Sequence, residues 1–222
     1  MRAFRSRRQR GAALVTVLFL MLAVLMMSVS SVRAALSAAK SAAAERDRHV
    51  ARAAAEAALR DGERDIEGAA GPASPRTAIF AAADANADTS AFAERCADGA
   101  ERTGLCRFMP PPGVPAWQAV DLAGERSVEY GRFSGRSMPL GAGRLPARLP
   151  RYLIELLPAP GAPPRYRITA IGFGADPATI VVLQGYYVRT SGSAPGTPAT
   201  AAGRRLGWRD IPNWPALHRA AS

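Results

Sequence analysis

Residues 11–32 read GAALVTVLFLMLAVLMMSVSSV, 22 positions without a charge. The ten residues ahead of them, MRAFRSRRQR, hold five arginines and no acid. As a helix the run would rise about 33 Å, enough to cross a hydrocarbon core of roughly 30 Å. Arginines before the span and none within it match the positive-inside pattern. The N-terminus is therefore expected in the cytoplasm, with everything after Arg33 on the far side of the membrane.

A secretory signal shares the basic start but carries an apolar core of roughly 7–15 residues. This core is longer, and positions 28–35 resemble a cleavage site only loosely. The segment from Arg33 to Glu67 also argues for a retained stem. It has no proline, its only glycine is Gly62, and alanine dominates. Alanine has the highest helix propensity, so one helix is expected from about 12 to 67, about 84 Å long. Glu56 and Arg60 attract at i,i+4 whereas Arg60 and Arg64 repel, so ion pairing alone does not carry the helix. On the wheel Ala55, Leu59, Gly62 and Ile66 share one side. Val50, Ala53, Ala54 and Ala57 lie nearly opposite, with Arg52, Glu56, Arg60, Glu63 and Glu67 between. Gly68 and the Gly71-Pro72 pair end the helix.

About 190 residues remain beyond the tail and span, a length that suits one modest domain. Aromatics are 7% and Gly plus Pro total 38, so a small core with much loop is expected. The net charge is +11, and lysine occurs once, at Lys40, so the basicity is almost all arginine. After residue 33 the longest basic run is Arg204-Arg205, which reads as solvated charge rather than a nucleic-acid stripe. The two cysteines, Cys96 and Cys106, have nine residues between them, Gly99 and Gly104 among these. Beyond the span they face an oxidising compartment, so a disulfide is expected, stabilising the fold by about 2–3 kcal/mol. Two cysteines without a nearby histidine make a poor zinc site.

Residues 68–100 are polar and alanine-rich, with 78–83 or 91–97 as candidate short helices. Residues 107–116 (RFMPPPGVPA) read as a proline-rich loop, and 135–150 as a second loop rich in Gly and Pro. Strands gather late. Residues 152–157 are short and apolar. In 166–173, Tyr166, Ile168 and Ala170 fall on one side and Arg167, Thr169 and Ile171 on the other. Residues 174–177 form a turn. Residues 179–189 are rich in β-branched and aromatic side chains, with a bulge expected at Gly185. Residues 128–133 form a weaker fourth strand. These segments predict an antiparallel meander with one face on the stem helix. Residues 191–203 (SGSAPGTPATAAG) read as a flexible linker. Trp208 and Trp214 in the last segment either pack as a final edge strand or form a contact surface.

Catalytic chemistry is nearly absent. His49 reads as a solvated helix residue and His218 as part of a mobile terminus. No His-Glu-x-x-His, Cys-x-x-Cys, P-loop or Gly-x-Ser-x-Gly pattern occurs. Gly172-Phe173-Gly174 lacks a third glycine and reads as a turn signal, and the carboxylates Glu125 and Glu129 are a weak pair. No enzyme activity, metal or cofactor is expected.

A basic leader ending in Gly11, an uncharged segment of about twenty residues and an alanine-rich helix together resemble a type IV prepilin. Within that class the chain more closely resembles the PilX-type minor pilins. Its marks are Gln9-Arg10-Gly11-Ala12-Ala13-Leu14-Val15 at the start and 54–63 (AAEAALRDGE) in the stem. Residues 166–172, 180–187 and 205–210 add to it, and 70–150 contributes little. The resemblance implies an α+β pilin-like fold, with one long N-terminal helix on a small antiparallel sheet. It divides the chain into a leader (1–11), an assembly half of the stem (12–32), an amphipathic half (33–67), a variable region with the disulfide (68–150) and a sheet region with a C-terminal tail (151–222). It implies cleavage between Gly11 and Ala12 by prepilin peptidase and N-methylation of Ala12.

Most pilins carry a glutamate four residues after the new N-terminus, where this chain has Thr16. In a fibre that glutamate would neutralise the free amine of a neighbour inside an apolar core. Its absence implies a subunit with nothing ahead of it, priming or capping the fibre tip. The partners implied are the major pilin and other minor pilins through the stem helix, prepilin peptidase, the inner-membrane assembly platform and membrane lipid. A minor pseudopilin of type II secretion, or a membrane-anchored periplasmic module binding nucleic acid, are the alternatives, the latter unsupported by any arginine run.

Overall fold

The computed structural model describes residues 10–85, 88–141, 143–159, 162–189 and 203–221, with side chains from 13 onward. The leader up to residue 9 and most of the expected linker at 191–203 lie outside the described residues. The chain divides into two compact units, Met1–Arg46 and Asp47–Ser222.

The first unit consists of the N-terminal part of α1 (Arg10–Ile66). Every described side chain from 13 to 46 is exposed. The helix includes a window of mean hydropathy 2.5, long and apolar enough by length and composition to cross a membrane. Its serine hydroxyls bond within the helix. Ser28 donates to the Val24 carbonyl (2.8 Å) and Ser31 to that of Met27 (2.9 Å). Such internal bonds leave neither hydroxyl proton unpaired in an apolar surrounding.

In the second unit the same helix is buried on one side. Ala51, Ala54, Ala55, Ala58, Leu59 and Ile66 are at most 2% exposed. The expected face of Ala55, Leu59, Gly62 and Ile66 is the packed one. Ala54, expected opposite, is buried too. The packed stripe is wider than the apolar residues alone trace, because Asp61 and Asp65 are buried in it as well. The helix ends where Gly68 takes φ +88° and the Ala69 amide donates back to the Arg64 carbonyl, closing a left-handed cap.

After α1 come α2 (Pro75–Asp84), β1 (Leu105–Arg107), α3 (Ala116–Ala119), β2 (Val128–Glu129), β3 (Arg151–Leu157), β4 (Arg165–Phe173), β5 (Ile180–Val188), β6 (Arg204–Asp210) and α4 (Trp214–Ala221). The main sheet order is β1-β3-β4-β5-β6, with β2 paired to β3. β3 to β6 form an antiparallel meander. β1 runs parallel to β3, with Cys106 opposite Glu155. Sequence patterning does not reveal this parallel strand, because three residues show no periodicity.

Several local expectations need correction. Of the two candidate helices, 78–83 lies inside α2, where Ser74 accepts from the Arg76 amide and Pro75 occupies the first turn. Residues 91–97 are not helical; Ala93 bridges to Cys106 instead. The fourth strand stops at Glu129, because Gly131 turns at φ +84° with a Cβ position that would overlap the Arg136 carbonyl. Gly185 is not at the bulge, which lies between Tyr186 and Tyr187. It faces Leu59 of α1 at close range. Gly172 is a strand residue, not a turn. A Cβ there would overlap the Ala51 carbonyl oxygen and the Ala55 nitrogen. The glycine lets helix and sheet approach closely.

The sheet is covered on both faces, which is why β4 is buried almost throughout rather than in alternation. Tyr166, Ile168 and Ala170 pack with Leu59 and Ile66 of α1 and with Phe80 and Phe92. Ile171 and Phe173 pack on the other face with Trp117, Ile211 and Trp214. The last segment answers both expectations at once. β6 is an edge strand with Trp208 half exposed, whereas Trp214 is buried. His218 is held rather than mobile, its ring stacked on Trp214 at 4.9 Å and its Nδ1 2.6 Å from the Gln118 carbonyl oxygen.

Candidate functional site

In the first unit, Gly11 and Ala12 lie within α1, and the Ala12 side chain is outside the described residues. Thr16 is exposed, and its hydroxyl donates to the Ala13 carbonyl at 2.9 Å. That turn of the helix therefore offers a neutral, internally bonded hydroxyl at position 16. Around it the helix displays Leu14, Val15, Leu18, Phe19 and Leu22, each between 49% and 74% exposed. This is a surface built to be covered by lipid or by other helices.

In the second unit the sheet is tied to α1 by charges at both ends of the packed segment. Asp47 accepts from the amides of Ala175 (2.5 Å) and Asp176 (3.3 Å) in the β4–β5 turn. A side-chain hydrogen bond from Thr179 and those amides hold its carboxyl below the usual value. Arg52 reaches Asp210 of β6 at 3.3 Å and lies over the Trp208 ring at 5.1 Å. Glu63 takes two bonds from Arg205, at 2.5 and 2.9 Å, and Glu67 accepts from the Tyr187 hydroxyl.

A buried polar knot sits near the end of α1. Arg76 of α2 is fully buried and binds both Asp65 oxygens, with Nη2 2.6 Å from Oδ2. It also donates to the carbonyls of Glu101 (2.8 Å) and Thr103 (3.0 Å) and lies 4.2 Å from the Phe133 ring centre. Tyr152 donates its hydroxyl to Asp65 at 3.0 Å, and burial pushes that phenol well up. One turn earlier, Asp61 accepts from the Gly131 amide (2.8 Å) and from the Ser134 hydroxyl. Two acids of the stem thus gather α2, the 99–104 loop, β3 and the 131–134 turn. Across the sheet Arg167 pairs with Glu155 at 2.7 Å, and Glu155 also accepts from the Ala116 amide that opens α3. Sequence pattern signals none of these partners. The one available hint is that Asp61 and Asp65 stand beside Gly62 and Ile66 on the packed side of the wheel.

Cys96 and Cys106 are joined by a disulfide. Among the described residues there is no group of three metal-ligating side chains.

The model of the C-terminal region of the type IV pilus assembly protein PilX matches residues 77–189, more than half of the chain. The PilX N-terminal model matches residues 10–60. The chain belongs to the PilX family. No curated protein and no solved structure matches it. Its long apolar N-terminal helix and mostly antiparallel sheet are the pilin-like α+β fold, and its PilX-family role is in type IV pilus assembly, as a structural protein rather than a catalyst. The C-terminal match takes in the knot built by Arg76 only from residue 77 onward, so Asp65 and Arg76 fall in the gap between the two matched regions.

Proposed function

We propose that this PilX-family protein is a minor pilin that primes or caps the fibre tip together with other minor pilins. Before assembly it sits in the inner membrane, with its N-terminus cytoplasmic and the unit from Asp47 onward periplasmic. Prepilin peptidase removes residues 1–11 and methylates Ala12. The apolar helix then leaves lipid for the stems of neighbouring pilins, passing one apolar surrounding to another at little cost in burial.

The observation that carries the tip reading is Thr16, whose hydroxyl is bonded back to Ala13. A shaft subunit has to neutralise a neighbour's amine in a dry core, where an unpaired charge is expensive. A subunit with none ahead of it has no such amine to meet.

The test is the mature N-terminus of the protein recovered from membranes and from sheared surface fibres. A chain beginning at methylated Ala12 in the fibres supports processing and polymerisation together. A chain still beginning at Met1 and confined to the membrane would overturn the proposal. For position in the fibre, deletion should reduce surface pili, and labelled protein should mark fibre ends. Uniform labelling along the shaft, or a Thr16→Glu variant with unchanged piliation and tip incorporation, would remove the charge argument.

A further inference from the structure

β6 ends the meander at one edge, and the register shows which way its residues face. Tyr166, Ile168 and Ala170 of β4 pack toward α1. Alternation therefore turns Arg165, Arg167 and Thr169 to the opposite face. Residues directly opposite each other on neighbouring strands share a face, so the ladder carries this face to β6 in three rows. Arg165 stands opposite Val188, and Val188 opposite Arg204. Arg167 stands opposite Tyr186, and Tyr186 opposite Gly207. Thr169 stands opposite Gln184, and Gln184 opposite Arg209. Side-chain bonds follow the last row: Gln184 donates to the Thr169 hydroxyl at 3.0 Å and accepts from Arg209 at 2.7 and 3.0 Å. The Cα atoms of Arg165 and Arg204 are two strand spacings apart, about 10 Å. The adjacent pair Arg204-Arg205 is split between the faces, since Arg205 turns to Glu63 of α1.

Arg165, Arg204 and Arg209 are exposed, and none forms an ion pair among the described residues. The strands β3 to β6 hold two acids, Glu155 and Asp210. Glu155 is taken by Arg167, and Asp210 by Arg52 on the α1 side. The outer edge of β6 is unpaired as well, because no strand lies beyond it among the described residues. The Ile211 amide donates to the Val182 carbonyl. In an antiparallel pair the bonded positions alternate, so Arg209 bonds toward β5 while Trp208 and Asp210 turn their backbone groups outward. The Trp208 side chain, 50% exposed, stands opposite Gly185, which offers it no side chain to pack on.

We infer that the outer edge of β6 receives an extended acidic segment of another protein as an added strand. The outward backbone groups supply the attachment, and alternate side chains supply the selection. Acids on one face of the added strand meet Arg204 and Arg209, and apolar residues on its other face lie against Trp208. A second copy of this edge is disfavoured, because its own Arg204 and Arg209 would be brought against the same cations. Charge thus directs an edge that would otherwise pair indiscriminately. The inference does not rest on the tip proposal, which is carried by Thr16, and either can fail without the other.

The experiment uses the full chain in a non-ionic detergent and a fluorescent peptide of alternating glutamate and valine, matched to the seven residues of β6. A lysine–valine peptide of the same length should bind at least about tenfold more weakly. So should the acidic peptide N-methylated at alternate amides, which cannot complete a ladder. Arg204→Glu/Arg209→Glu should reverse the order of the two charged peptides. Arg204→Glu alone, which leaves the Arg209 bond to Gln184 in place, should narrow the difference between them. Arg107→Glu, exposed on β1 at the opposite edge of the sheet, should leave the order and its size unchanged. The leader arginines add a background common to every variant, and an unchanged thermal midpoint shows that the variants fold. Acidic-peptide binding that survives N-methylation would reduce the arginines to plain surface charge and overturn the inference. So would no binding at all, or a parental order of affinities in both Arg204 variants. Self-association of the chain that the acidic peptide does not displace would assign the edge to a second copy and overturn it too.

Discussion

Arg76 and Asp65 form an ion pair with both side chains fully buried, at 2.6 Å between Nη2 and Oδ2. The pair joins α2 to the stem helix, and each partner is furnished with further hydrogen bonds. Removing one partner leaves the other charge stranded in the core. Arg76→Met should therefore destabilise the second unit by about 3–5 kcal/mol, and Asp65→Leu by a similar amount. The double variant Asp65→Leu/Arg76→Met should recover much of either loss, since it strands no charge. Thermal unfolding of the four proteins, monitored by near-ultraviolet circular dichroism, checks the cycle. Additive losses would show that the pair is not a unit.

Two glycines in the sheet should respond oppositely to a single methyl group. At Gly172 a Cβ would collide with the backbone of α1 at Ala51 and Ala55, which cannot swing away as a side chain would. Gly172→Ala should cost about 3 kcal/mol or more, the upper end of the range for overpacking. At Gly207 of β6 a Cβ meets nothing within 4 Å, and the residue does not adopt positive φ. Gly207→Ala should be neutral or stabilise by about 0.5 kcal/mol, because glycine in a strand loses more freedom on folding. Chemical denaturation midpoints of both variants against the parent decide this.

These features mark where the sequence is legible. The apolar run, the alanine-rich continuation and the alternating late strands are readable because each has a period that one face or one membrane imposes. Ala55, Leu59 and Ile66 can be placed on the packed side for the same reason. Asp61 and Asp65 cannot. Their burial is created by Arg76, Tyr152 and Ser134, which come from distant segments without periodicity, and an acid in a helix otherwise reads as solvated. β1 and α4 are too short to announce themselves.

Asp47 should give the second unit an acid-sensitive contact. Its carboxyl takes a side-chain hydrogen bond from Thr179 and accepts from the Ala175 and Asp176 amides in the turn, so its folded pKa lies below the usual 3.8. A lowered carboxylate value contributes stability that is present above the unfolded pKa and lost as pH falls through the folded one. The contact should hold at neutral pH and release only below 3.8. The amide shifts of Ala175 and Asp176, recorded by nuclear magnetic resonance, should titrate with a midpoint under that value. In Asp47→Asn that step should vanish. A midpoint above 3.8 would contradict the sign of the shift.

The disulfide should act on the same knot from its other side. The loop closed by Cys96 and Cys106 contains Glu101 and Thr103, whose carbonyls receive the Arg76 guanidinium. Closing a loop of this length restricts the unfolded chain by about 2–3 kcal/mol in the chain-entropy model. In this fold it also closes the loop that carries the two acceptors of Arg76. Cys96→Ser/Cys106→Ser should therefore lower stability by about that amount, and the loss should not add simply to that of Arg76→Met. Groups that share one network show interaction energies of about 0.5–3 kcal/mol in such cycles. Here the cysteine variant should cost less in the Arg76→Met background, where the carbonyls no longer have a cation to hold. Equal cost in both backgrounds would confine the disulfide to its effect on the unfolded chain.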